Sequence, residues 1–574
     1  VGRWRNKHWN ILYQGEEQAR RLQSELGCHP IVARLLVNRG IVLPDEAQAF
    51  LHPSFSDLSD PFLLPDAEAA VERIKQALNR RERIYIHGDY DSDGVTSAAL
   101  WYRLLKRLGA DVLVHVPHRH RDGYDMRSKF VLEAKERGAA VILTTDCGIQ
   151  RFAEVEEARE VGIDVIVTDH HEPGSQLPRA AAVVNPHRSD SRYPFPYLAG
   201  VGVAFRLGEA LLRHLGHPVE GYRRAFCDLA AIGTITDIMP VLGENRIIVK
   251  QGLETLRQVR KPGLKALMQT ASIKPEVLTA RSIGFVLGPR INAVGRIDDA
   301  RIALDLLLTE DSAQAHELAE RLERANAMRQ EEQARITEEA VQQIQRLDME
   351  ENPCLVLYSE NWHSGVIGVV ANKIVSRYHR PTVLIALNPE SGTGRGSARS
   401  IRTFDIHQAL TECQEYLLEF GGHAHAAGMS LTSENLPAFI RSLNRLASEQ
   451  LTPDDFLPTI DIDAEIEASE VDSRLMEDLS AFEPYGHDNE EPVFVTRGLQ
   501  IQRVSRMGRD RQHLKLFLKN GSNNLVEAIC WRNGELEEHL HPGDYFDICY
   551  RPQINHFNGR SSVQYIIEDL RPTE

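Results

Sequence analysis

The chain has 574 residues, with 66 Lys and Arg against 82 Asp and Glu and a formal net charge of −16. That length implies about three to five domains at roughly 100–200 residues each, and 42% hydrophobic with 26% charged residues argues against disorder. No apolar run approaches the ~20 residues that cross a bilayer. There is no signal-peptide core at the start, and the seven scattered cysteines contain no CxxC pair. A reducing cytoplasm is the expected location. An acidic total would seem to argue against a nucleic-acid partner, because counterion release needs Lys and Arg near phosphates. The acidity is local, however: residues 309–351 carry −7 and residues 433–491 carry −13, leaving +4 on everything else.

Residues 1–65 mix helical periodicity with Pro-marked turns and read as an N-terminal cap. From about 66 to 308 short β-branched runs (84–87, 112–116, 141–145, 165–168 and 182–184) alternate with helical stretches (96–108, 128–137 and 152–161). Such alternation predicts a parallel sheet covered by helices on both faces. Residues 309–351 read as a solvated helical connector of one or two long helices. A second α/β segment over 352–450 offers strands at 354–358 and 382–387, a helix at 366–378, then a Gly-rich turn and another helix. The acidic, Pro-containing stretch 451–491 reads as a linker or short helix. Over 492–574 five strand-like runs suit a small barrel of the oligonucleotide-binding type.

The chemistry is concentrated at the carboxyl ends of the early strands. Residues 84–87 lead into His87-Gly-Asp89-Tyr-Asp91-Ser-Asp93-Gly94, 141–145 into Asp146-Cys-Gly148, and 165–168 into Asp169-His170-His171. In an open parallel sheet, loops at the carboxyl ends of strands line one crevice. Several carboxylates brought together would raise one another's pKa unless cations neutralise them. Mixed Asp and His donors suit Mn²⁺ or Mg²⁺, and more than four candidate ligands suggest two ions ~3.5–4 Å apart, as in phosphoryl transfer. Any one of these aspartates could equally be a helix N-cap; jointly they point to metal. An EF-hand is a poor fit, because the position of its bidentate Glu is Leu100.

These motifs, with Gly421-Gly-His-Ala-His-Ala-Ala-Gly428 further on, resemble the DHH phosphoesterase superfamily and its DHHA1 subfamily. Supporting stretches are Leu198-Ala-Gly-Val-Gly-Val-Ala-Phe205, Gly288-Pro-Arg-Ile-Asn-Ala-Val-Gly-Arg296 and Trp362-His-Ser-Gly-Val-Ile-Gly368. The resemblance covers nearly the whole chain and is strongest to the exonuclease branch specific for single strands. It implies an α/β architecture: a parallel-sheet DHH domain, a long helical connector, a smaller α/β DHHA1 domain and a C-terminal OB-like β-barrel. It further implies that Asp91, Asp93, Asp146, His170 and Asp237 are metal ligands, with Asp146 bridging. His87 is a weaker candidate ligand, and Asp89 binds metal or supports a ligand. Asp169 orients a neighbouring group, and His171 matches a residue at the scissile phosphate. Positions matching Arg119, Ser397 and Arg399 form a 5′-phosphate pocket in such enzymes, Arg290 lies near the strand, and His423 holds substrate across the cleft between the α/β domains.

Residue chemistry agrees in part. Arg119 leaves the same sheet edge as the acids, and Arg290 and Arg296 lie in a Gly-rich stretch without acids. Residues 392–399 read as a flexible basic loop whose backbone N–H groups could meet phosphate. Over 497–519 the barrel has seven Arg and Lys against Asp510, with Phe517, Trp531, Tyr550 and Phe557 available for stacking.

The expectation is therefore a 5′→3′ exonuclease that hydrolyses single-stranded DNA to 5′-mononucleotides with two Mn²⁺ or Mg²⁺ ions, in recombination and repair. It would act as a monomer beside a single-strand-binding protein and a RecQ-type helicase. One alternative is a phosphodiesterase of the same superfamily acting on short oligonucleotides or cyclic dinucleotides. The other is a replication scaffold that has lost its metals.

Overall fold

The computed structural model describes residues 7–12, 15–119, 121–123, 125–519, 525–557 and 560–573. The chain forms two compact units, one of residues 11–325 with 462–574, the other of residues 1–10 with 326–461.

In the larger unit, strands β1 (Arg83–Gly88), β2 (Asp111–His115), β3 (Ala139–Thr145), β4 (Asp164–Thr168) and β5 (Ala182–Val184) form an all-parallel sheet in the order β2-β1-β3-β4-β5. Their near-continuous Val, Ile and Leu are what a strand covered on both faces requires. One face packs under helices α1 (Ser92–Arg107), α2 (Gly200–His214), α3 (Glu220–Thr236) and α4 (Gly243–Arg257), in a core that includes Trp101, Phe205 and Ile248. The other face holds a smaller core around Ile142, Val155 and Val165. Because β1, β3 and β4 are neighbours in the sheet, their carboxyl ends open side by side.

The N-terminal helices belong to this unit and have a mechanical role that periodicity did not reveal. The Arg39 guanidinium donates to Asn489 Oδ1 at 3.0 Å and to the Glu490 carbonyl at 2.8 Å, while Asp478 accepts from the His29 amide at 2.8 Å. The stretch expected to be a linker is thus partly folded: Ala464–Glu465 pairs in parallel with the first barrel strand, and Ser473–Ser480 is a helix. Helix α5 (Ser312–Ile344) is one continuous 33-residue element, as its polar periodicity allowed.

The smaller unit carries β6 (Leu355–Ser359), β7 (Thr382–Asn388), β8 (Thr393–Arg399), β9 (Glu419–His423) and β10 (Ala426–Thr432) in the order β9-β10-β8-β7-β6. This corrects one expectation. Residues 393–399 are not a flexible loop but the central strand, antiparallel to both neighbours. Its amides are taken up by the ladders, so side chains rather than backbone N–H groups would have to meet a ligand. The Gly-rich motif 421–428 is a β9–β10 hairpin in register Gly421↔Gly428 and His423↔Ala426. Gly and Ala have little strand propensity, and pairing in the sheet overrode it.

Strands β11 (Phe494–Met507), β12 (His513–Lys519), β13 (Leu525–Cys530), β14 (Tyr545–Phe557) and β15 (Arg560–Pro572) run in the order β11-β12-β13-β15-β14, and β11–β14 pairing closes the barrel.

Candidate metal centre and nucleic-acid contacts

Each loop at the sheet edge is shaped by its own acids. Asp91 caps α1, its Oδ1 accepting from the Asp93 and Gly94 amides at 3.0 and 3.1 Å. Asp93 sits in the first turn of that helix and aims its carboxylate at another: Oδ2 accepts from the Gly200 amide at 2.7 Å and Oδ1 from the Val201 amide at 2.8 Å. The N-terminus of α2 thus stabilises the negative charge. Asp146 follows β3 with φ of 63°, an uncommon backbone state for a non-glycine residue. Its amide donates to the Thr168 carbonyl at 3.0 Å. Gly200 packs onto it so closely that a Cβ there would lie 2.6 Å from Asp146 Cβ. Asp237 closes the set from the C-terminus of α3.

Potential ligand atoms converge in three overlapping groups, each within 4.8 Å: Asp89, Asp91 and Asp146; Asp93, His170 and Asp237; Asp146, His170 and His171. Asp146 belongs to two of them. His170 Nε2 lies 3.1 Å from Asp146 Oδ1, 3.6 Å from Asp237 Oδ2 and 3.8 Å from Asp93 Oδ2. Burial lowers the His170 pKa to about 3, so its ring is neutral. Burial and the neighbouring aspartates push Asp89, Asp146 and Asp237 well above the ordinary carboxylate range, and Asp93 to about 7. Asp89 Oδ1, Asp146 Oδ1 and His170 Nε2 are buried without a hydrogen-bond partner. Unsatisfied oxygen and imidazole nitrogen atoms aimed at common points are what a divalent cation would satisfy.

Asp169 has a different task. Its buried carboxylate accepts from the amides of Ile149 (2.9 Å), His170 (2.7 Å) and His171 (3.1 Å) and from His171 Nδ1 (2.8 Å). Burial opposes its charge, but the His171 hydrogen bond and these other donors hold its pKa below the usual value. Burial likewise opposes charge on His171, yet Asp169, Asp237 and Asp89 raise its pKa to about 9. His171 is thus a half-exposed cation beside the cluster.

His87 is not in any of the three groups. Its ring is fully buried and lies 5.5 Å from the ring of His115 and 4.9 Å from that of Phe130. A residue that sequence reading gave no role, Asn292, instead supports the ligand loop: its Oδ1 accepts from the Ser92 amide at 2.8 Å and from Ser92 Oγ at 3.0 Å. Only the Gly288–Arg296 stretch as a whole hinted at this.

Of the basic residues, Arg119 is half-buried with its guanidinium 5.2 Å from the Tyr90 ring, on the Asp89–Asp91 loop. Arg290 is already engaged: it donates to both Glu323 carboxylate oxygens at 2.6 and 3.2 Å and to the Val286 carbonyl. In the smaller unit, Arg399 Nη1 donates to Ser397 Oγ at 3.1 Å and to the Ala398 carbonyl at 2.7 Å. Burial lowers the Arg399 pKa. A Cβ on Gly368 would stand 2.9 Å from Ser397 Oγ and 3.3 Å from Arg399 Nη2, so this glycine keeps the pair uncovered. His423 is exposed at the end of β9.

On the barrel, Tyr550 is core and stacks on Tyr565 at 3.8 Å. Phe517 is half-buried between Arg503 and Lys515, 5.9 and 6.0 Å from its centroid, and Trp531 is 48% exposed. The side chain of Phe557 lies outside the described residues. The basic run is partly neutralised: Arg497 pairs with Glu465 and Asp547, Arg506 with Glu537, and Lys515 with Glu527.

A parallel sheet that gathers carboxylates and a histidine at its carboxyl edge, in one chain with a mixed β-sheet module, defines a DHH-type phosphoesterase. Family models match accordingly: the DHH family N-terminal domain over residues 83–234, the DHHA1 domain over 351–449 and the RecJ OB domain over 462–569. The chain belongs to the RecJ family of single-stranded-DNA-specific exonucleases. It is 38% identical over 566 residues to the RecJ of Bacillus subtilis, covering 99% of this chain and 71% of that protein. With the RecJ of Dickeya dadantii it shares 36% identity over 94% of this chain and 96% of the other. The crystal structure of Thermus thermophilus RecJ with Mn²⁺ superposes at a TM-score of 0.85 and 32% identity, over 99% of this chain and 80% of that one. The same protein has also been solved with Mg²⁺ (TM-score 0.78, 30% identity, 99% of this chain and 79% of that one). No helix among the described residues is long and apolar enough to cross a membrane.

Proposed function

We propose that this protein is a 5′→3′ exonuclease that degrades single-stranded DNA to 5′-mononucleotides in recombination and repair, with two divalent ions at the sheet edge. The observation that carries the reading is the convergence of Asp89, Asp91, Asp93, Asp146, His170 and Asp237, with buried oxygen and nitrogen atoms left unsatisfied. Asp91, Asp146 and Asp89 would hold one Mn²⁺ or Mg²⁺, and Asp93, His170 and Asp237 the other, with Asp146 shared. Bound there, the ions would supply Lewis-acid activation of water and charge neutralisation at the phosphoryl group.

The chain's own groups do the rest. Asp93, anchored on the α2 N-terminus, and Asp169, anchored by four donors, hold the ligand loops in one geometry. Protonated His171 presents a charged N–H toward the space where phosphoryl oxygens gain charge. Arg399 with Ser397 offers a desolvated donor pair suited to a terminal phosphate, and Arg119 offers a cation beside the Asp89–Asp91 loop of the catalytic domain. His423 contacts the substrate, and Arg290 reaches the strand only by exchanging Glu323 for phosphate. The closed barrel, with Phe517 flanked by two cations, is the feature that favours a long single strand over a dinucleotide.

In this reading the protein is a cytoplasmic monomer that works with a single-strand-binding protein and a RecQ-type helicase. The test is nucleotide release from a 5′-labelled single strand in Mn²⁺ by wild type and Asp146→Asn. Release by the wild type alone, with both proteins equally folded, supports the reading; equal release overturns it.

A further inference from the structure

Two acids with buried carboxylates, Asp122 and Asp125, shape the loop 116–127, which joins β2 to the helix Ser128–Glu136 and carries Arg119. Connections from strand to helix commonly take about 2–6 residues, and a longer one needs fastening by its own side chains to hold one conformation. Asp122 closes the first half. Its carboxylate accepts from the His118 amide at 2.8 Å, from Lys129 Nζ at 2.6 Å and from Arg121 Nε at 3.2 Å. Arg119 lies within that turn, its guanidinium 5.2 Å from the Tyr90 ring.

Asp125 fastens the second half to a different strand. It is buried and adopts φ of 68°, a state that Asp tolerates better than most side chains. Its Oδ1 accepts from the Met126 amide at 2.7 Å, and its Oδ2 from Arg151 Nε at 2.7 Å. Arg151 ends the turn that Asp146 begins after β3, and its amide donates to the Gly148 carbonyl at 3.1 Å. In the sheet β1 lies between β2 and β3, so no ladder joins their loops. The Asp125–Arg151 ion pair makes that link, past the strand that leads into Asp89, Asp91 and Asp93. Met126 and Ile149, near the two partners in sequence, are buried together in the smaller core, so a shift of one loop is passed to the other. A buried ion pair adds little stability over an apolar pair of similar size, which favours a role in geometry.

We infer that Asp125 and Arg151 are positioning residues: their ion pair holds the Arg119 turn in fixed register with the Asp146 loop and thereby sets a preference for a 5′-phosphorylated end. The inference rests on the exonuclease reading, with Arg119 serving the 5′ end of the strand. Both residues act through Arg119 rather than on the substrate.

Hydrogen exchange and kinetics test it together. In Asp125→Asn, which suits the same backbone state, and in Arg151→Met, amides of residues 116–127 should exchange about tenfold faster or more, with β1 and β3 unchanged. In Mn²⁺, both variants should raise KM about fivefold or more for a 5′-phosphorylated 20-mer of deoxythymidylate, and less than about twofold for its 5′-hydroxyl form. Arg151→Lys, which keeps the charge, should retain most of the preference. In an Arg119→Ala background Asp125→Asn should have no further effect on either KM. Unchanged exchange, equal KM shifts for the two ends, or additive effects of Arg119→Ala and Asp125→Asn overturn the inference. If wild type binds both 20-mers but releases no nucleotide, the exonuclease reading fails, and the same comparisons made with Kd in Mn²⁺ decide the positioning role.

Discussion

Arg246 has the most demanding surroundings of any cation in the larger unit, and replacing it gives a quantitative test of how that unit is held together. Its side chain is almost entirely buried on α4, and no carboxylate pairs with it among the described residues. Five main-chain carbonyls accept from the guanidinium instead: Phe50 at 2.7 Å, Ala481 and Phe482 at 2.8 Å, Glu483 at 3.1 Å and Pro484 at 3.2 Å. The Phe50 ring lies 4.0 Å from the guanidinium carbon. One residue therefore ties the N-terminal cap, the catalytic core and the segment that leads to the barrel. Burial lowers its pKa only to about 10, so it remains charged at neutral pH. Arg246→Met keeps the apolar stem but orphans these carbonyls. If each of the three shortest bonds contributes ~1 kcal/mol net, the loss is about 3 kcal/mol, and more if the carbonyls stay dry. Arg246→Lys keeps the charge with three donors in place of a planar fork and should fall between. Urea unfolding followed by tryptophan fluorescence reads this directly, because Trp101 is buried in the same unit. An Arg246→Met protein within about 1 kcal/mol of wild type would refute the idea that this clamp holds the unit together.

Other consequences concern the site. Gly200→Ala places a Cβ against Asp146; nucleotide release in Mn²⁺ should fall by at least ~100-fold, as misplacing reacting groups by about 1 Å does. Mn²⁺ binding at pH 7 should release protons, since Asp89, Asp146 and Asp237 are pushed well above the usual range and Asp93 to about 7. Calorimetric titration in buffers of differing ionisation enthalpy measures that release, and a buffer-independent heat would contradict the raised pKa values. Arg399→Ala should abolish any preference for a 5′-phosphorylated over a 5′-hydroxyl strand in competition digests. Asn292→Leu removes both bonds to Ser92 and should weaken Mn²⁺ affinity or turnover roughly 10–100-fold, which titration and initial rates would show.

Much of the catalytic domain was legible because it obeys simple local rules. Buried parallel strands need unbroken β-branched runs, and their carboxyl ends carry the candidate ligands, so β1, β3 and β4 and the acids after them could be read directly. Asp237 was harder, since it terminates a helix and only the family motif marked it. Residues 393–399 look like a loop in sequence because Gly and Ala say little about strands, and the sheet rather than propensity shapes them and the hairpin at 421–428. His87 illustrates a different limit: its proximity to Asp89 in sequence said nothing of its packing against His115 and Phe130.

The net charge of −16 followed the same division. Sequence alone located the acidity in the connector and in 433–491, and it supplied the motif acids that nominate a metal-dependent phosphoesterase. Only the tertiary structure decided how those charges are used. Arg290 is committed to Glu323, the barrel cations Arg497, Arg506 and Lys515 are tied into ion pairs, and the supposed linker is bound by Arg39 and Arg246 into the catalytic unit. The reason is physical: residue type and spacing determine local geometry and the ligands available, whereas the partner a charge finds depends on which distant segments the packed core brings within hydrogen-bond reach.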